Sequence, residues 1–452
     1  MISRLRPAWS QTFSRHPVRL LPVAFAVVIA AGTAVLMSPV STTGAEGASF
    51  VDAVFTATSA VCVVGLTTVD TPVYWADFGH GVILVLVQLG GFGIMAGSTL
   101  LMLIVTRRLG HTTRMLAQAE MKTLSLGDVK AIAVRSVVVV TFVEAVVAAA
   151  LFARFRFGHG FDAGEALWLG VFHSVSSFNS AGFALFSDSF VGYAVDPGVL
   201  VPLMTAMFLG GLGAPVLFEL TRRRHGWRRW SVHTKLTLAG SGVLLGAGFL
   251  FLLAAEWSNP ATLGRHDPAD RFLPALFHAV TPRSAGLNVV ETGDLTGPSL
   301  LVTDFLMFIG GGSASTAGGI KVTTFFLLGA VIWTEIRGER DVTLFRRRIP
   351  VGAVRQAVSV ALLYVGFVAA GCVAMLTLTE FPLDQVLFET ISAGATVGLS
   401  TGITADLPAA AQLVLTCMMF VGRIGPVAVA SALALRNRHR RYRYPEGRPI
   451  VG

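Results

Sequence analysis

The sequence predicts an all-α polytopic membrane protein. Four M1–P–M2 repeats, each a helix, a re-entrant pore helix with its loop and a second helix, are expected in pseudo-fourfold arrangement around one central pore. Of the 452 residues, 53% are hydrophobic and only 13% are charged, whereas about a quarter of the residues in a soluble domain are charged. Short basic segments separate apolar runs that are long enough to cross a bilayer. Two short motifs also recur four times along the chain, which indicates internal repetition.

The basic residues divide the chain into hairpins. Most of the 35 Lys and Arg residues lie in five segments, at 1–20, 105–135, 221–235, 337–355 and 436–452. Under the positive-inside rule these segments face the cytoplasm, so each intervening stretch must cross the membrane and return. A net charge of +9 would also suit nucleic acid, but these charges flank hydrophobic spans. We therefore expect a lipid bilayer and no nucleic-acid partner.

Four hairpins between five basic segments give eight spanning helices. The apolar run at 17–40 could instead be a cleaved signal peptide, but it is too long for an ordinary signal-peptide core and lacks a clear cleavage site. We interpret it as the first membrane helix. The predicted organisation is a cytoplasmic N-terminus at 1–16, repeats at 17–106, 131–222, 233–337 and 350–435, and a basic cytoplasmic C-terminus at 436–452.

The first recurring motif is an apolar piece too short to span a membrane. It reads V-F-T-A-T-S-A-V at 54–61, V-F-H-S-V-S-S-F at 171–178, L-F-H-A-V-T-P-R at 276–283 and L-F-E-T-I-S-A-G at 387–394. A glycine follows each copy, at Gly65, Gly182, Gly286 and Gly398. Non-helical backbone at membrane depth is tolerated only where it is buried in protein or lines a water-filled cavity. Four such loops are predicted to meet on a central axis.

The second motif follows each of these glycines at a nearly constant distance. It reads L-G-G-F-G at 89–93, L-G-G-L-G at 209–213, I-G-G-G-S at 309–313 and V-G-R-I-G at 421–425. Small residues of this kind permit close helix packing. Packing accounts well for the second motif, but it does not explain why the first motif ends a helix that is too short to span.

Backbone carbonyls that point into a shared axis can replace the water shell of a monovalent cation. Glycine suits such loops because consecutive inward carbonyls require backbone angles that a Cβ obstructs. The short helices also direct the negative ends of their dipoles toward the axis, which favours a cation. The loops are therefore predicted to form a cation filter.

Several of these motifs carry a resemblance to a known family. They are F-N-S-A-G-F (178–183), R-S-A-G-L-N (283–288), T-V-G-L-S-T-G (396–402) and G-G-G-S-A-S-T-A-G-G-I-K-V-T-T (310–324). The chain resembles the membrane subunit of the Ktr/Trk/HKT potassium transporter superfamily, most closely the bacterial Ktr type. This resemblance implies channel-like potassium uptake across the plasma membrane, with no enzyme activity and no bound cofactor. It implies K⁺ as the transported ion, Na⁺ as an activator, a homodimer and a cytoplasmic nucleotide-binding regulatory ring subunit.

The resemblance also implies which backbone faces the ion. The expected filter loops are Val63, Val64 and Gly65; Ser180, Ala181 and Gly182; Ser284, Ala285 and Gly286; and Thr396, Val397 and Gly398. In the plant relatives, a glycine in the first loop accompanies potassium permeability, so Gly65 favours potassium. Val63 and Val64 replace hydroxyl-bearing residues that are common there, which leaves the selectivity for K⁺ over Na⁺ open.

The second helix of the third repeat is predicted to break at 310–319. A phosphate-binding loop is excluded because Ile320 separates Gly319 from Lys321, whereas that motif requires Gly-Lys-Ser/Thr. A local packing defect is the other alternative, but ten consecutive small residues leave several carbonyls without helical partners. The resemblance implies an intramembrane gating loop formed by Gly310, Gly311, Gly312, Ser313, Ser315, Thr316, Gly318, Gly319 and Lys321.

Arg423 occupies the position that Gly91, Gly211 and Gly311 hold in the other copies of the second motif. It lies too deep in its helix for simple snorkelling, so it should face protein or the pore. One alternative is a buried arginine paired with carbonyls or with Glu144. The resemblance implies the other, a pore-facing cation that forms an electrostatic barrier.

Other readings remain. His173 and His278 occupy equivalent places in the first motif, and we expect packing or solvent contacts near helix N-termini rather than metal ligands. The alternative functions are the potassium-binding subunit of an ion-pumping ATPase, a broken-helix symporter, and a membrane-embedded enzyme or sensor.

Overall fold

The computed structural model describes residues 20–108, 126–222, 226–283 and 285–435. The predicted cytoplasmic segments at 1–16 and 436–452, and Ser284 of the third filter loop, lie outside these residues.

The helices follow one another in the same order four times. A long helix is followed by a short one and then by a second long or broken one. The helices longer than a single turn are α1 (Leu20–Leu36), α2 (Phe50–Cys62), α3 (Asp77–Arg108), α4 (Leu126–Gly158), α5 (Ala163–Asn179), α6 (Pro197–Leu212), α7 (Ala214–Arg222), α8 (Val232–Glu256), α9 (Phe272–Val280), α10 (Gly297–Phe308), α11 (Val322–Ile336), α12 (Val351–Leu378), α13 (Leu383–Ala395) and α14 (Ala409–Leu435). A two-stranded antiparallel hairpin, β1 (Thr343–Leu344) with β2 (Arg347–Arg348), pairs Thr343 with Arg348. The protein is thus essentially all-α, as the sequence predicts.

The short helices α2, α5, α9 and α13 are the predicted pore helices. The N-termini of α2 and α5 are capped by Ser49, which accepts from the N–H of Asp52, and by Asp162, which accepts from the N–H of Gly164. The helix α2 has 13 residues and is about 20 Å long at 1.5 Å per residue. That is shorter than the hydrocarbon core of a bilayer, about 30 Å thick.

Four helices of the described residues are long and apolar enough to cross a membrane on their own, and they lie within α3, α4, α8 and α12. A fifth span results if α6 and α7 are counted together across their bend. The remaining segments of the predicted eight are α1, α14 and the broken pair α10–α11. Their apolar stretches are Leu21–Leu36, Ala409–Gly425, Gly297–Phe308 and Val322–Ile336.

The second repeat contains a break that the sequence analysis did not predict. Helices α6 and α7 meet at 100°, on either side of Gly213, whose φ is +87°. A methyl group built on Gly213 would lie 2.6 Å from the carbonyl oxygen of Ser313. The non-helical segment between α10 and α11 therefore packs against the bend, and only a glycine at position 213 leaves room for that segment.

The first glycine of the second motif packs the second helix against a pore helix in three of the four repeats. A methyl group built on this glycine would lie 2.0 Å from a carbonyl oxygen near the end of the pore helix, four residues before the filter glycine. The pairs are Gly90 with Val61, Gly210 with Phe178 and Gly422 with Gly394. In the third repeat, Gly310 instead packs on the carbonyl of Gly318, because the chain has already left the helix. The motif thus serves close packing in all four repeats.

An ion cluster joins the ends of α4 and α6. The Arg154 Nε donates to Asp196 Oδ2 at 2.9 Å, and His159 Nε2 lies 2.7 Å from the same oxygen. Burial acts to raise the pKa of Asp196, but the hydrogen bonds from Arg154 and His159 outweigh it, so the pKa lies below its usual range. The charged carboxylate is therefore the form that stabilises this contact.

Candidate functional site

Three of the four pore helices end in the same strained turn. The residue after the helix has a left-handed backbone in each, with φ of 56° at Val63, 61° at Ser180 and 51° at Thr396. The next N–H reaches back five residues, as from Val64 to the carbonyl of Ser59 at 2.8 Å, which is the Schellman type of helix end. Left-handed backbone costs a non-glycine residue about 1–2 kcal/mol. The surrounding structure must therefore impose it.

The third pore helix ends differently. A 3₁₀ turn at Thr281–Arg283 continues α9, and the N–H of Ala285 donates to the carbonyl of Thr281 at 2.9 Å. The loop still brings Gly286 to a left-handed conformation, with φ of 66°. Its sequence, with proline at position 282, favours this tighter turn.

The four predicted filter glycines form a closed ring. Each has positive φ, with values of 101°, 72°, 66° and 96° at Gly65, Gly182, Gly286 and Gly398. A methyl group built on each would lie within about 3 Å of the Cα of a ring neighbour, in the cyclic order Gly65–Gly182–Gly286–Gly398. Repeats far apart in sequence therefore meet here in chain order, with pseudo-fourfold geometry.

Backbone carbonyls line this ring. The Val64 oxygen would lie 2.0 Å from a methyl group on Gly398, and the Ala181 oxygen 2.6 Å from one on Gly65. The oxygen of Val397 lies at the same 2.6 Å from a methyl group on Gly286. The structure thus brings together the predicted filter residues that it describes. The backbone carbonyl oxygens of Val64, Ala181 and Val397 lie where these loops meet.

Hydroxyl groups of the pore helices hold the loops in place, and the sequence analysis missed them. The N–H groups of Gly65 and Gly398 donate to Ser59 Oγ and Ser392 Oγ, both at 3.0 Å. In the other two repeats a hydroxyl donates to the carbonyl after the glycine, from Ser176 to Phe183 at 2.7 Å and from Thr281 to Leu287 at 2.6 Å. The signal was present as a Ser or Thr near the end of each copy of the first motif.

Three residues before this hydroxyl, α5 and α13 each carry a second side chain that ties down the chain beyond the filter. Glu389 accepts from Ser400 Oγ at 2.5 Å and from Thr404 Oγ1 at 2.9 Å. His173 occupies the equivalent place and its Nε2 accepts from the N–H of Leu185 at 3.0 Å. Of the packing or solvent contacts expected for this histidine, the structure shows packing, because His173 is fully buried. The expected place near the helix N-terminus is wrong, because His173 lies in the second half of α5.

The equivalent His278 is also buried, and both of its ring nitrogens lack a hydrogen-bond partner among the described residues. Within the same residues, no group of three or more His, Cys, Asp or Glu side chains could hold a metal ion.

The predicted gating loop lies in the non-helical segment between α10 and α11, and it packs against the bend of the second repeat. The N–H of Gly312 donates to the carbonyl of Gly211 at 2.8 Å, and the N–H of Ala214 to that of Ala314 at 3.4 Å. A short parallel bridge between Ile309 and Ile320 closes the base of the loop.

Within the loop, side chains satisfy carbonyls that no helix serves. Ser315 Oγ donates to the carbonyl of Gly312 at 2.7 Å. Lys321 Nζ donates to the carbonyls of Ala317 at 2.5 Å and Gly318 at 3.2 Å. The loop is therefore held by a small number of side-chain contacts.

Thr316 places the gating loop directly against the filter loops. Its Oγ1 lies 3.1 Å from Ser180 Oγ and 3.3 Å from the carbonyl oxygen of Phe178. A methyl group on Gly318 would lie 2.2 Å from Thr396 Oγ1. Ser180 and Thr396 each precede their ring glycine by two residues, so the loop covers one side of the ring.

Arg423 joins the gating loop to the filter. It is only 4% exposed, and its Nη1 donates to the carbonyl of Thr316 and, at 3.4 Å, to Thr396 Oγ1. Pairing with a carbonyl, one of the two alternatives, is therefore present. Pairing with Glu144 is not, because that carboxylate accepts from Gln88 and Asn179 instead. The guanidinium lies beside the ring all the same.

Comparison with known proteins places this arrangement in a family. The protein-family model described as TrkH, cation transport protein, matches residues 7–438. Ktr system potassium uptake protein B of Bacillus subtilis (strain 168) is 36% identical over 436 residues, covering 96% of this chain and 97% of that protein. Potassium/sodium uptake protein NtpJ of Enterococcus hirae is 31% identical over 442 residues, covering 96% and 97%. The crystal structure of the potassium transporter TrkH from Vibrio parahaemolyticus matches with a TM-score of 0.71 at 17% identity, covering 94% of this chain and 85% of that one.

The fold and the ring define a multi-pass α-helical membrane protein of the cation-transporter class. The chain belongs to the TrkH cation transport protein family. The family resemblance predicted from the sequence is thereby confirmed, and the alternative of a membrane-embedded enzyme is set aside because this family transports cations.

Proposed function

We propose that this protein takes up potassium across the bacterial plasma membrane as the pore subunit of a Ktr-type system, with both termini in the cytoplasm. The observation that carries the proposal is the closed ring of four glycines with carbonyl oxygens between them. The relatives from Bacillus subtilis and Vibrio alginolyticus, both named Ktr system potassium uptake protein B, support it.

In this proposal K⁺ is the substrate, and the backbone carbonyls of the four filter loops replace its water shell. The loops supply oxygen without charged side chains, so a monovalent cation is bound and released without a deep energy well. No cofactor takes part. Na⁺ acts as an activator, and the Potassium/sodium uptake protein NtpJ among the relatives is consistent with a role for sodium.

The gating loop closes the path on one side of the ring. Because Thr316 contacts Ser180 and Arg423, the loop must leave both before an ion can pass. The guanidinium of Arg423 adds an electrostatic barrier while it stays beside the path. Opening therefore requires the loop to exchange these few contacts for others.

We further propose that the protein is a homodimer and works with a cytoplasmic nucleotide-binding ring subunit. The basic loops at 221–235 and 337–348 are the surfaces on which such a ring would dock, although their charge also satisfies the positive-inside rule.

A growth experiment tests the function. The full-length protein, with and without the regulatory subunit of a relative, is expressed in a bacterium that lacks its potassium uptake systems. Growth at limiting K⁺ is then compared with and without Na⁺. We expect rescue that is enhanced by the ring subunit and by Na⁺.

Absence of rescue, with the protein present in the membrane, would overturn potassium uptake. A second measurement follows K⁺ uptake into proteoliposomes. Growth rescue without the ring subunit, together with uptake into proteoliposomes that stops when ATP is depleted, would favour the ATPase-subunit alternative.

A further inference from the structure

A buried polar cluster lies directly behind the second filter loop. It consists of Asn179, Gln88 and Glu144, one from each of three elements. Asn179 is the last residue of α5 and immediately precedes Ser180. Gln88 lies on α3 of the first repeat and Glu144 on α4 of the second. We call these three residues the amide–carboxylate cluster.

The amide–carboxylate cluster is a closed triangle of hydrogen bonds. Asn179 Nδ2 donates to Gln88 Oε1 at 2.8 Å and to Glu144 Oε1 at 3.0 Å. Gln88 Nε2 donates to Glu144 Oε2 at 3.1 Å. Both carboxylate oxygens of Glu144 are therefore used by amide donors, and Asn179 is fixed from two different helices.

Two further contacts restrict the cluster. Asn179 Nδ2 also lies 3.0 Å from the carbonyl oxygen of Val175, so one of its two N–H groups is shared between two acceptors. Ser174 Oγ donates to the backbone carbonyl of Glu144 at 2.6 Å. A methyl group on Gly91 would lie 1.9 Å from Asn179 Oδ1. The glycine at this position thus makes room for the asparagine amide.

Two residues of the cluster are buried and the third is half-buried. Asn179 is 1% and Glu144 7% exposed, and Gln88 is half-buried. Glu144 forms no ion pair with any residue that the structure describes, and its carboxylate oxygens accept from amides. A buried carboxylate without a counter-ion is costly in a membrane and marks a functional role. Here the carboxylate of Glu144 accepts a hydrogen bond from Asn179, the residue immediately before the second filter loop.

We propose that Glu144 and Gln88 are positioning residues for the second filter loop, and that they act through Asn179 to set the selectivity for K⁺ over Na⁺. Selectivity depends on where the loop carbonyls stand, and Ser180 must hold a left-handed backbone directly after Asn179. A cluster that anchors Asn179 to two helices fixes the point from which that strained turn departs. The inference rests on the proposed potassium uptake.

The experiment exchanges two side chains of nearly equal shape. Glu144→Gln faces the Gln88 or the Asn179 amide with a second donor. Gln88→Glu sets a second carboxyl group against Glu144, so like-charge repulsion or a shared proton replaces the amide hydrogen bond. Each single change therefore removes one amide hydrogen bond of the triangle. The double exchange Gln88→Glu with Glu144→Gln allows every hydrogen bond of the triangle to form again. Donor and acceptor are reversed only between positions 88 and 144, and Asn179 donates to both positions as before. Initial rates of K⁺ and Na⁺ uptake per amount of protein are measured in the uptake-deficient bacterium, with the ring subunit co-expressed.

We expect each single variant to lower the ratio of K⁺ to Na⁺ uptake by about threefold or more, the scale of one hydrogen bond of ordinary net strength. The double exchange is expected to restore most of that ratio. Unchanged ratios in the single variants would overturn the proposal, and so would a double exchange that shows no recovery.

A second pair of variants covers the case in which the single variants fail to fold. Gly91→Ala pushes on the Asn179 amide but leaves all three cluster residues in place, and it is expected to lower the ratio. Gly81→Ala on the same helix meets nothing within 4 Å and serves as its control. An unaltered ratio in Gly91→Ala would overturn the proposal.

A chemical control comes from Glu256, a buried carboxylate far along the chain that accepts from Thr262 and Thr296, both at 2.6 Å. Glu256→Gln repeats the same chemical change outside the amide–carboxylate cluster and should leave the ratio unaltered. If the wild-type protein did not take up K⁺, the proposed function itself would be wrong, irrespective of the variants.

Discussion

At the scale of single residues, the ring glycines and the residues before them have different reasons for their identity. Gly65, Gly182, Gly286 and Gly398 have left-handed backbones, and a Cβ on each would contact a neighbouring loop at about 3 Å or less. Val63 and Thr396 are left-handed as well, yet both are β-branched, which is rare for such residues. The strain at these two positions is held by the hydrogen bonds of the helix ends.

The first prediction concerns Gly398. A side chain here would lie 2.0 Å from the carbonyl oxygen of Val64, so Gly398→Ser must displace an oxygen of the ring. We expect the ratio of K⁺ to Na⁺ uptake to fall by about tenfold, which corresponds to about 1.4 kcal/mol, while membrane abundance changes less. Ion competition against radioactive rubidium uptake measures the ratio.

Gly402→Ser is the matched control, since Gly402 also has positive φ, +99°, but a Cβ there meets nothing within 4 Å. A loss of abundance in Gly398→Ser without any change in ion preference would assign Gly398 to packing alone.

The second prediction concerns Arg423. Arg423→Ala removes a charge beside the path together with its bond to Thr316. The repulsion between the Arg423 charge and a cation a few ångströms away is on the order of a few kcal/mol at the effective dielectric constant of a protein. We therefore expect the maximal uptake rate to rise by roughly tenfold. Rubidium uptake kinetics at equal protein amounts measure it.

Arg423→Lys keeps the charge and should stay closer to the wild-type rate than Arg423→Ala does. Uptake kinetics that do not change in Arg423→Ala would mean that the arginine has only a structural role.

At the scale of elements, the second motif fixes the distance between the second helix and a pore helix in the first, second and fourth repeats. The third prediction tests this on α14. Gly422→Ala places a methyl group 2.0 Å from the carbonyl oxygen of Gly394, whereas Gly425→Ala meets only Val421 Cγ1 at 3.5 Å. We expect Gly422→Ala to lower the free energy of unfolding by about 1–3 kcal/mol, as overpacking does.

Gly425→Ala should be neutral or slightly stabilising, because alanine favours helices more than glycine. Thermal unfolding of the two purified variants in the same detergent measures the difference. Equal stability of the two variants would show that α14 can move away from α13 at little cost.

The fourth prediction concerns the ion cluster that joins the ends of α4 and α6. Because hydrogen bonds from Arg154 and His159 hold the pKa of Asp196 below its usual range, the charged carboxylate stabilises the fold at neutral pH. That contribution is present above the unfolded-state pKa and is lost as pH falls through the lower folded-state value. Asp196→Asn should therefore be less stable than the wild type near neutral pH, and the difference should vanish once the pH has fallen below the lowered folded-state pKa of Asp196.

Melting temperatures across this pH range measure the effect, and Asp77→Asn, whose carboxylate is fully exposed, is the control. A difference between Asp196→Asn and the wild type that does not depend on pH would show that the carboxylate charge is not what stabilises this contact.

At the scale of the whole molecule, four similar repeats surround the ring, but their contacts behind it differ. The residue three positions before the ring glycine is Cys62, Asn179, Arg283 or Ala395. Asn179 enters the amide–carboxylate cluster, and Arg283 Nη2 donates to Ser241 Oγ at 2.9 Å. Backbone geometry thus follows the pseudo-fourfold arrangement, and side chains make each repeat distinct.

Prediction from the sequence went furthest where backbone and repetition decide the structure. The pore helices and the ring glycines follow from motifs that recur along the chain, and the non-helical stretch after Phe308 follows from ten consecutive small residues at 310–319. The bend at Gly213 was missed, because its glycine belongs to a motif that is helical in the first repeat. The bend exists because the gating loop of another repeat occupies that space.

The sequence by itself determined the membrane class, the order of the elements and the family, since apolar length, basic segments and repeated motifs are local properties of the chain. Only the tertiary structure decided which groups meet. Glu144 contacts Asn179 and Gln88 rather than Arg423, and Arg423 reaches Thr316, 107 residues away. Such pairings depend on how four hairpins close into a ring, and a long-range contact leaves no periodic trace in a single sequence.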